Sequence, residues 1–238
     1  MNELEFGGKT MEPDVRMLHD MDDVLYDKEW ARGAENLELY YMYRDLFLSR
    51  RDGDLFLEQG IRYDITIIPP LMLGREYVKT AGHYHPLVPG ETATYPEVYE
   101  VLEGEATYLL QREDLSDVVV VRARAGDKVV VPPDYGHITI NDSNKRLKMA
   151  NFVAREFSSI YEPIKKRGGA AYFLTEDGFV ENPRCEDAAP LREIEVPKTK
   201  PLGLSKNREI YAIGREKGTL DWLVRPQDYM EIFEGFLD

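Results

Sequence analysis

The stretch HYHP at positions 83–86 decides how this chain is read, because it places two histidines two residues apart in a segment of β-strand character. Successive side chains on a strand point to opposite faces, so His83 and His85 share one face and can bind the same ion. Glu97 follows, and His137 comes just after a double-proline turn. The chain has four histidines, and three of them lie in this pattern. The alternative interpretation, three unrelated packing roles, is less favoured.

Three imidazoles and one carboxylate suit Fe, Mn, Ni or Zn. Four protein ligands leave positions open on an octahedral ion, and open positions indicate catalysis rather than a structural role. Tyr99 lies two residues beyond Glu97, so we expect it to face the same cavity. The pattern therefore predicts a site for one divalent ion, formed by His83, His85, Glu97 and His137.

Short β-strand signals surround this pattern and predict a β-sandwich or barrel. The predicted strands span 63–68, 76–85, 97–103, 106–111, 118–123, 128–131, 137–140 and 147–153. Gly104 predicts a tight turn that joins strands 97–103 and 106–111 in a hairpin. Tyrosines and other aromatic residues within 37–48 favour a further strand there, and 11–21 is expected to form a loop and a short helix.

The remaining segments are predicted to flank the barrel. The proline-rich loop 86–96 is expected to form a wall or lid over the pocket mouth. Residues 187–201 have the composition of a linker or extended arm, and 226–236 is predicted to be a helix that begins with a proline and has one apolar face. The predicted division is a flanking segment 1–55, a metal-binding barrel 56–185 and a C-terminal extension 186–238.

Composition excludes several classes of function. At a formal net charge of −14, the 238-residue chain lacks the basic stripe that nucleic acid binding requires, and it is a poor match for an anionic membrane. No apolar run approaches a membrane span, and no leader pattern precedes the chain, so a cytoplasmic location is expected. Cys185 has no CxxC partner and is predicted to be inert, and His19 is expected to lie on a solvated acidic face.

The chain resembles the cupin superfamily. Its first motif is matched by Gly74, His83-x-His85, Glu97 and Gly104, and its second by Gly126, Pro132, His137 and Asn141. The segments KTAGHYHP at 79–86, PEVY at 96–99, LLQ at 109–111, VPP at 131–133 and NPR at 182–184 look like the archaeal cupin-type phosphoglucose isomerases. The resemblance covers roughly residues 15 to 185 and leaves a C-terminal tail outside it.

This resemblance implies an all-β cupin double-stranded β-helix, or jelly-roll barrel, with short flanking helices and a C-terminal helix. It implies a homodimeric enzyme that interconverts glucose 6-phosphate and fructose 6-phosphate with one divalent metal ion, most often Fe(II), with Mn, Ni or Zn as alternatives.

By matching position, the resemblance gives His83, His85, Glu97 and His137 as metal ligands, with catalytic roles for Glu97, His137 and Tyr99. The phosphate contacts fall on Thr66, Thr80 and Gly82. Tyr99 and Tyr161 line the sugar side.

Strict alternation would place Thr80 and Gly82 on the face opposite His83 and His85. A β-bulge at Gly82 would bring them to the same pocket. Asp134 and Phe152 each stand where the family has a tyrosine, which leaves open how these two positions act on substrate binding. An aspartate there would repel a phosphate unless it points away and Tyr135 takes its place.

Alternatives stay open at two levels. The isomerisation can proceed by proton transfer through an enediol, with Glu97 as base, or by hydride transfer, with Glu97 only as ligand. The same ligand set also suits a metal-dependent dioxygenase, and a non-catalytic sugar-phosphate-binding protein is the third hypothesis.

Overall fold

The computed structural model describes residues 3–238. Its strands are β1 Leu4–Phe6, β2 Lys9–Met11, β3 Asp14–Met17, β4 Glu38–Tyr43, β5 Ile61–Ile68, β6 Met72–Leu73, β7 Glu76–Tyr77, β8 Glu97–Glu103, β9 Glu105–Arg112, β10 Val118–Arg124, β11 Lys128–Val131, β12 Tyr135–Ile140, β13 Leu147–Ala154, β14 Tyr172–Thr175, β15 Gly178–Glu181 and β16 Arg192–Ile194. Its α-helices are α1 Lys28–Gly33, α2 Arg50–Glu58, α3 Glu162–Lys166, α4 Ile210–Gly214 and α5 Met230–Phe233. Turns of 3₁₀ helix span Leu18–Val24, Lys200–Leu202, Asp221–Leu223 and Pro226–Tyr229.

Two sheets form the barrel. The larger has the order β11-β8-β13-β5-β4-β3 and the smaller the order β12-β9-β10-β16. From β8 to β13 the chain passes between the sheets, with β8, β11 and β13 in the larger one and β9, β10 and β12 in the smaller one. Side chains of both sheets meet in one apolar cluster, for example Tyr99 and Val101 with Tyr108 and Val119. This arrangement confirms the predicted jelly-roll barrel.

The strands of the barrel follow their sequence signals closely. Strands β8 and β11 have the predicted bounds, and β9, β10, β12 and β13 differ from theirs by at most two residues at either end. Gly104 turns the chain between β8 and β9 with a φ of +82°. A Cβ at this position would lie 2.5 Å from the Arg146 carbonyl oxygen, so only glycine fits the turn.

The prediction of one strand over 76–85 is wrong. After β7 the chain pairs with β12 only at Lys79, opposite Ile140, and at His83, opposite His137. The segment from Lys79 to His83 is one residue longer than the segment from His137 to Ile140 that it faces, which is the definition of a β-bulge. Gly82 lies within it at a φ of +72°, so the bulge expected at Gly82 is present. The extra residue shifts the alternation of side chains, so that Thr80 and His83 can lie on the same side of the chain.

The N-terminal segment contains more structure than its sequence indicated. The helical turn expected within 11–21 is found at Leu18–Val24, but strand β3 precedes it. Strand β4 lies within the predicted 37–48 segment. Helix α2 was not predicted, although Ser49 marks its start by accepting a hydrogen bond from the Asp52 amide.

The C-terminal extension packs on the barrel. Strand β16 joins the smaller sheet in parallel with β10, so the 187–201 segment is more than a linker. The helix predicted over 226–236 is divided into a 3₁₀ turn and the short helix α5. Residues Ile210 and Trp222 are buried against the outer side of the larger sheet. The division into 1–55, 56–185 and 186–238 stays a prediction. No helix in residues 3–238 is long and apolar enough to cross a membrane.

Candidate metal centre

Four side chains from three parts of the barrel meet at its inner end. His83 and His85 follow the bulge, Glu97 begins β8, and His137 lies in β12. One ligand atom from each lies within 4.8 Å of all the others. His85, Glu97 and His137 are buried, and His83 is partly buried. The bulge is what lets the first pair of histidines face the other two ligands.

Hydrogen bonds fix the orientation of two of these ligands. His85 donates from Nδ1 to the Tyr95 carbonyl oxygen at 2.8 Å, which leaves its Nε2 lone pair directed at the cluster. The same Nε2 lies 3.3 Å from His83 Nε2 and 3.4 Å from Glu97 Oε2. Asn151 donates to Glu97 Oε1 at 2.7 Å. The carboxylate therefore keeps Oε2 for the cluster.

The fourth ligand, His137, contacts the carboxylate and a phenol. Its Nε2 lies 3.3 Å from Glu97 Oε2 and 2.9 Å from the Tyr99 hydroxyl oxygen. Its Nδ1 is buried and makes no hydrogen bond to the residues that the structure describes. The Nε2 side of the His137 imidazole therefore faces both the other ligand atoms and the Tyr99 hydroxyl.

Burial sets the protonation states of the centre. It lowers the pKa of His83 well below the ordinary value, helped by the neighbouring His137 and His85. It lowers the pKa of His137 to about 4, although the Glu97 carboxylate opposes the shift. Burial alone would raise the pKa of Glu97, but its contacts with His85 and His137 outweigh burial and lower it. Burial and the Glu97 charge raise the pKa of Tyr99, which therefore stays protonated.

These four side chains fit a divalent metal ion. The Glu97 carboxylate is buried, and no lysine or arginine among residues 3–238 forms an ion pair with it. Buried charges are normally paired or coordinated to metal. Neutral imidazole nitrogens separated by 3.3 Å likewise converge on one point with their lone pairs, which is the donor set of a transition-metal site.

A cavity of about 100 Å³ opens above the cluster. Four of the residues predicted to contact substrate line it, namely Thr66, Thr80, Tyr99 and Tyr161. Gly82 does not line it; a Cβ there would lie 2.6 Å from Ile138 Cγ1. The structure therefore brings the predicted hydroxyls and the predicted metal ligands to one pocket, with Gly82 packed behind it.

The larger sheet also contributes pocket residues that sequence reasoning missed. These are Tyr40, Met42, Arg44, Arg62, Asp64, Met149, Asn151 and Val153. They fall at alternate positions of β4, β5 and β13, where register places Met42 opposite Thr66 and Asn151 opposite both Asp64 and Tyr99. The alternation of side chains along each strand could have indicated these pocket residues. Which residues of neighbouring strands face one another follows only from the strand order.

The expectation that loop 86–96 covers the pocket is wrong. None of its residues lines the cavity, whereas Phe157, Ser159 and Tyr161 do. The Phe157 ring lies 4.5 Å from the His85 ring and stacks on Tyr95 at 5.0 Å between centroids. The loop supports the ligands from behind, and the segment after β13 forms the wall.

The two positions that depart from the family pattern lie away from the pocket. Asp134 is not among its lining residues, and neither is Tyr135, whose hydroxyl donates to the Asp117 carboxylate at 2.6 Å. Phe152 is fully buried on the outer side of β13, where it packs on Phe56. The structure therefore places neither position in the pocket, and Tyr135 does not take the place of a pocket tyrosine.

The other two candidate residues stay apart from the site. His19 lies in the 3₁₀ turn 18–24 and does not line the pocket. Burial raises the pKa of the Cys185 thiol, which agrees with an inert role.

A larger cavity, about 970 Å³, is an open cleft elsewhere, between the β9–β10 hairpin and the extension. Its charges are partly paired within the cleft, as in Arg122 with Asp142 and Lys206 with Asp127. It contains none of the four clustered ligands, so we place the chemistry in the smaller cavity.

The chain is similar to several proteins of known name. A family model described as glucose-6-phosphate isomerase (GPI) matches residues 15–191. Glucose-6-phosphate isomerase of Thermococcus gammatolerans is 28% identical over 178 residues, which cover 71% of this chain and 86% of the relative. The protein of that name in Pyrococcus furiosus is 27% identical over 176 residues, again 71% and 86%. A putative glucose-6-phosphate isomerase 1 of Rhizobium meliloti is 29% identical over 148 residues, or 59% of this chain and 64% of the relative.

Solved structures to which part of the chain is similar include two oxalate decarboxylases. The Bacillus subtilis protein, with Mn(II) centres, has a TM-score of 0.38 and 17% identity over 52% of this chain and 28% of its own. The Lactobacillus farciminis protein has a TM-score of 0.38 and 21% identity over 53% of this chain and 32% of its own.

Proposed function

Since the chain belongs to the glucose-6-phosphate isomerase family, we propose that it interconverts glucose 6-phosphate and fructose 6-phosphate with one divalent metal ion bound by His83, His85, Glu97 and His137. The observation that carries this proposal is the convergence of these four side chains within 4.8 Å in a cavity that Thr66 and Thr80 also line. A metal ion in this cluster can polarise the oxygens of the opened sugar, and the two hydroxyls can hold its phosphate group.

A bound metal ion supplies a Lewis acid that polarises the oxygens at the reacting carbons. The side chains around it hold the substrate and manage protons. Tyr99 stays protonated and donates its hydroxyl hydrogen to an oxygen near C1 or C2 of the opened sugar. Asn151 holds Glu97 Oε1 by a hydrogen bond of 2.7 Å, so Glu97 has one fixed orientation towards the substrate.

Two routes for the hydrogen transfer remain. In the enediol route Glu97 removes the proton from one carbon and returns it to the next. In the hydride route Glu97 acts only as ligand, because a carboxylate bound to a divalent cation is a weaker base.

Thr66 and Thr80 are proposed to hold the phosphate group. The Thr80 hydroxyl accepts a hydrogen bond from the Thr139 amide at 3.0 Å, which directs its own hydrogen towards the cavity. Gly82 contributes by permitting the bulge that brings Thr80 to this side. Tyr161 lines the sugar end, 5.4 Å from the His83 ring.

We further propose Fe(II) as the native metal, as the family resemblance implies; Mn, Ni or Zn are proposed as substitutes, because mixed imidazole and carboxylate donors suit all four. The family resemblance supports a cytoplasmic homodimer that turns over a phosphorylated sugar. The formal net charge of −14 disfavours nucleic acid and anionic membranes as partners. Molecular mass in solution tests the dimer.

The function is tested by a coupled assay on glucose 6-phosphate. We expect turnover that is lost after chelation and restored by Fe, Mn or Ni. Full activity in metal-stripped protein contradicts the metal role. Oxygen uptake with an organic substrate, without isomerisation, would instead support a dioxygenase, and tight sugar-phosphate binding without turnover would support a binding protein.

The route is tested by turnover in deuterated water. Deuterium incorporated from the solvent at C2 of glucose 6-phosphate, when this product is formed from fructose 6-phosphate, indicates the enediol, because the abstracted proton exchanges with solvent. Its absence indicates hydride transfer.

A further inference from the structure

We propose that Arg44 binds the phosphate group of the substrate together with Thr66 and Thr80. This inference rests on the proposed function and adds a cation to a phosphate site otherwise expected to use hydroxyls and a glycine amide.

The Arg44 guanidinium lies beside Met42, the residue that pairs with Thr66 in the sheet. Arg44 directly follows β4 and lines the same cavity as Thr66 and Thr80. Its Nη1 donates to Asp14 Oδ2 at 2.9 Å, and its Nη2 lies 3.1 Å from Met42 Sδ. Met42 pairs with Asp14 on one side and with Thr66 on the other. The guanidinium therefore lies over the Asp14–Met42 part of the cross-strand row that continues to Thr66.

Arg44 is free to leave its present partner. The side chains of Arg44 and Asp14 are 42% and 66% exposed, and an exposed ion pair of this kind contributes about 0 to 1 kcal/mol. The other arginine of the cavity, Arg62, is committed instead: its Nε and Nη2 both contact the Asp64 carboxylate, which is 8% exposed. Of the two, Arg44 is the one that a phosphate dianion can recruit.

The negative net charge of the protein explains why the phosphate site needs a cation such as Arg44. A net charge of −14 repels an anionic substrate over long range, so local cations must offset that field. Arginine suits the role because its planar fork forms two parallel hydrogen bonds with phosphate. A second arginine, Arg16, adds positive charge at the same end: it pairs in register with Tyr40, whose hydroxyl accepts from the Ala81 amide next to Thr80.

The experiment compares Arg44→Gln with two controls in the metal-loaded protein. We expect the variant to raise KM for glucose 6-phosphate, and the inhibition constant for inorganic phosphate, by about 10- to 100-fold, the value of a hydrogen bond to a charged group. The kcat should change by less than about threefold, because the reacting carbons lie at the metal end. Arg51→Gln removes the same charge from the exposed start of α2 and should leave KM unchanged.

Asp14→Asn separates binding from a structural role. If Arg44 binds phosphate, releasing it from Asp14 leaves KM unchanged or lowers it. If Arg44 only ties β3 to β4, Asp14→Asn reproduces the loss seen in Arg44→Gln, and the proposal is overturned. An unchanged KM and phosphate inhibition in active Arg44→Gln also overturn it.

Failure of the proposed function is separable from failure of this inference. A wild-type protein without isomerase activity refutes the function. Titration with inorganic phosphate then still tests Arg44, since weaker binding in Arg44→Gln than in Arg51→Gln supports the site and equal binding refutes it.

Discussion

Two buried glutamates on strand β8 face opposite sides of the same sheet and have opposite surroundings. Glu97 and Glu100 are both 4% exposed. Glu100 accepts hydrogen bonds from Lys128 Nζ at 2.8 Å and from the Ile210 amide at 2.7 Å. Glu97 has imidazoles and an amide as neighbours but no cationic side chain in residues 3–238.

The difference separates chemistry from stability along a single strand. On the outer side the protein supplies the counter-charge itself, and the extension covers the pair through Ile210. On the inner side the counter-charge must come from a ligand, which is what a metal ion provides. We name the two sides by their residues: the inner face comprises Asp64, Thr66, Glu97, Tyr99 and Asn151, and the outer face comprises Tyr63, Ile65, Val98, Glu100 and Phe152.

The largest effect is expected for a substitution at the metal centre, on the side of the inner face. His137→Ala removes one ligand and should lower kcat/KM by about 1000-fold or more, since the Lewis acid supplies several kcal/mol of transition-state stabilisation. Metal content after dialysis should fall in parallel, whereas the unfolding midpoint in chelator should match that of wild type in chelator. Retained metal with full activity would remove His137 from the centre.

A smaller effect is expected for a substitution on the outer face. Glu100→Gln leaves the Lys128 ammonium buried without its counter-charge and should lower the free energy of unfolding by about 3 to 5 kcal/mol. Metal content and KM should stay at wild-type values, as measured by denaturant titration beside metal analysis. The matched control is Glu100→Gln with Lys128→Met, which removes the stranded charge and should recover most of the loss. Metal loss in Glu100→Gln would mean that the two faces are not independent.

Phe152→Tyr sharpens the comparison because it introduces the tyrosine that the family pattern has at this position. The ring already packs on Gly214, where an added Cβ would lie 2.3 Å from Phe152 Cζ. A hydroxyl there has no room and should cost about 1 to 3 kcal/mol of stability. KM should not change. A lower KM would place this position in the pocket after all.

The smallest effect is expected at Asp134. Its amide donates to the Thr94 hydroxyl oxygen at 2.6 Å, and its φ is +70°, a conformation that asparagine tolerates. Asp134→Asn should therefore change stability by less than about 0.5 kcal/mol and leave KM for glucose 6-phosphate unaltered. A KM several-fold lower would show that the aspartate repels the phosphate.

Much of the barrel could be predicted because its signals are local. Gly104 fixes a turn, and prolines end β11 before β12 begins, so the strands between 97 and 154 were located within about two residues. The segment 76–85 was assigned wrongly as one strand, because its sequence does not show that pairing with β12 is limited to Lys79 and His83. The extension was assigned only in part, since β16 depends on an edge of β10 that is far away in the chain.

The site divides in the same way. His83 and His85 reveal themselves by spacing, and Glu97 and His137, which follows the double-proline turn, complete the predicted ligand set. Arg44 carries no such signal, since its relation to Thr66 arises only when β4 pairs with β5. Asn151 likewise becomes a partner of Glu97 only through the order of strands in the sheet.

The hydrogen bond from His85 to the Tyr95 carbonyl has a consequence for protein engineering. The loop between them closes on itself, through the Tyr95 amide on Pro86 and the Val88 amide on Ala93, and its tip around Gly90 is exposed. Only the two ends of the loop contact the metal ligands. We therefore expect a tag, a label or a second binding module inserted between Val88 and Ala93 to leave the ligand geometry unchanged.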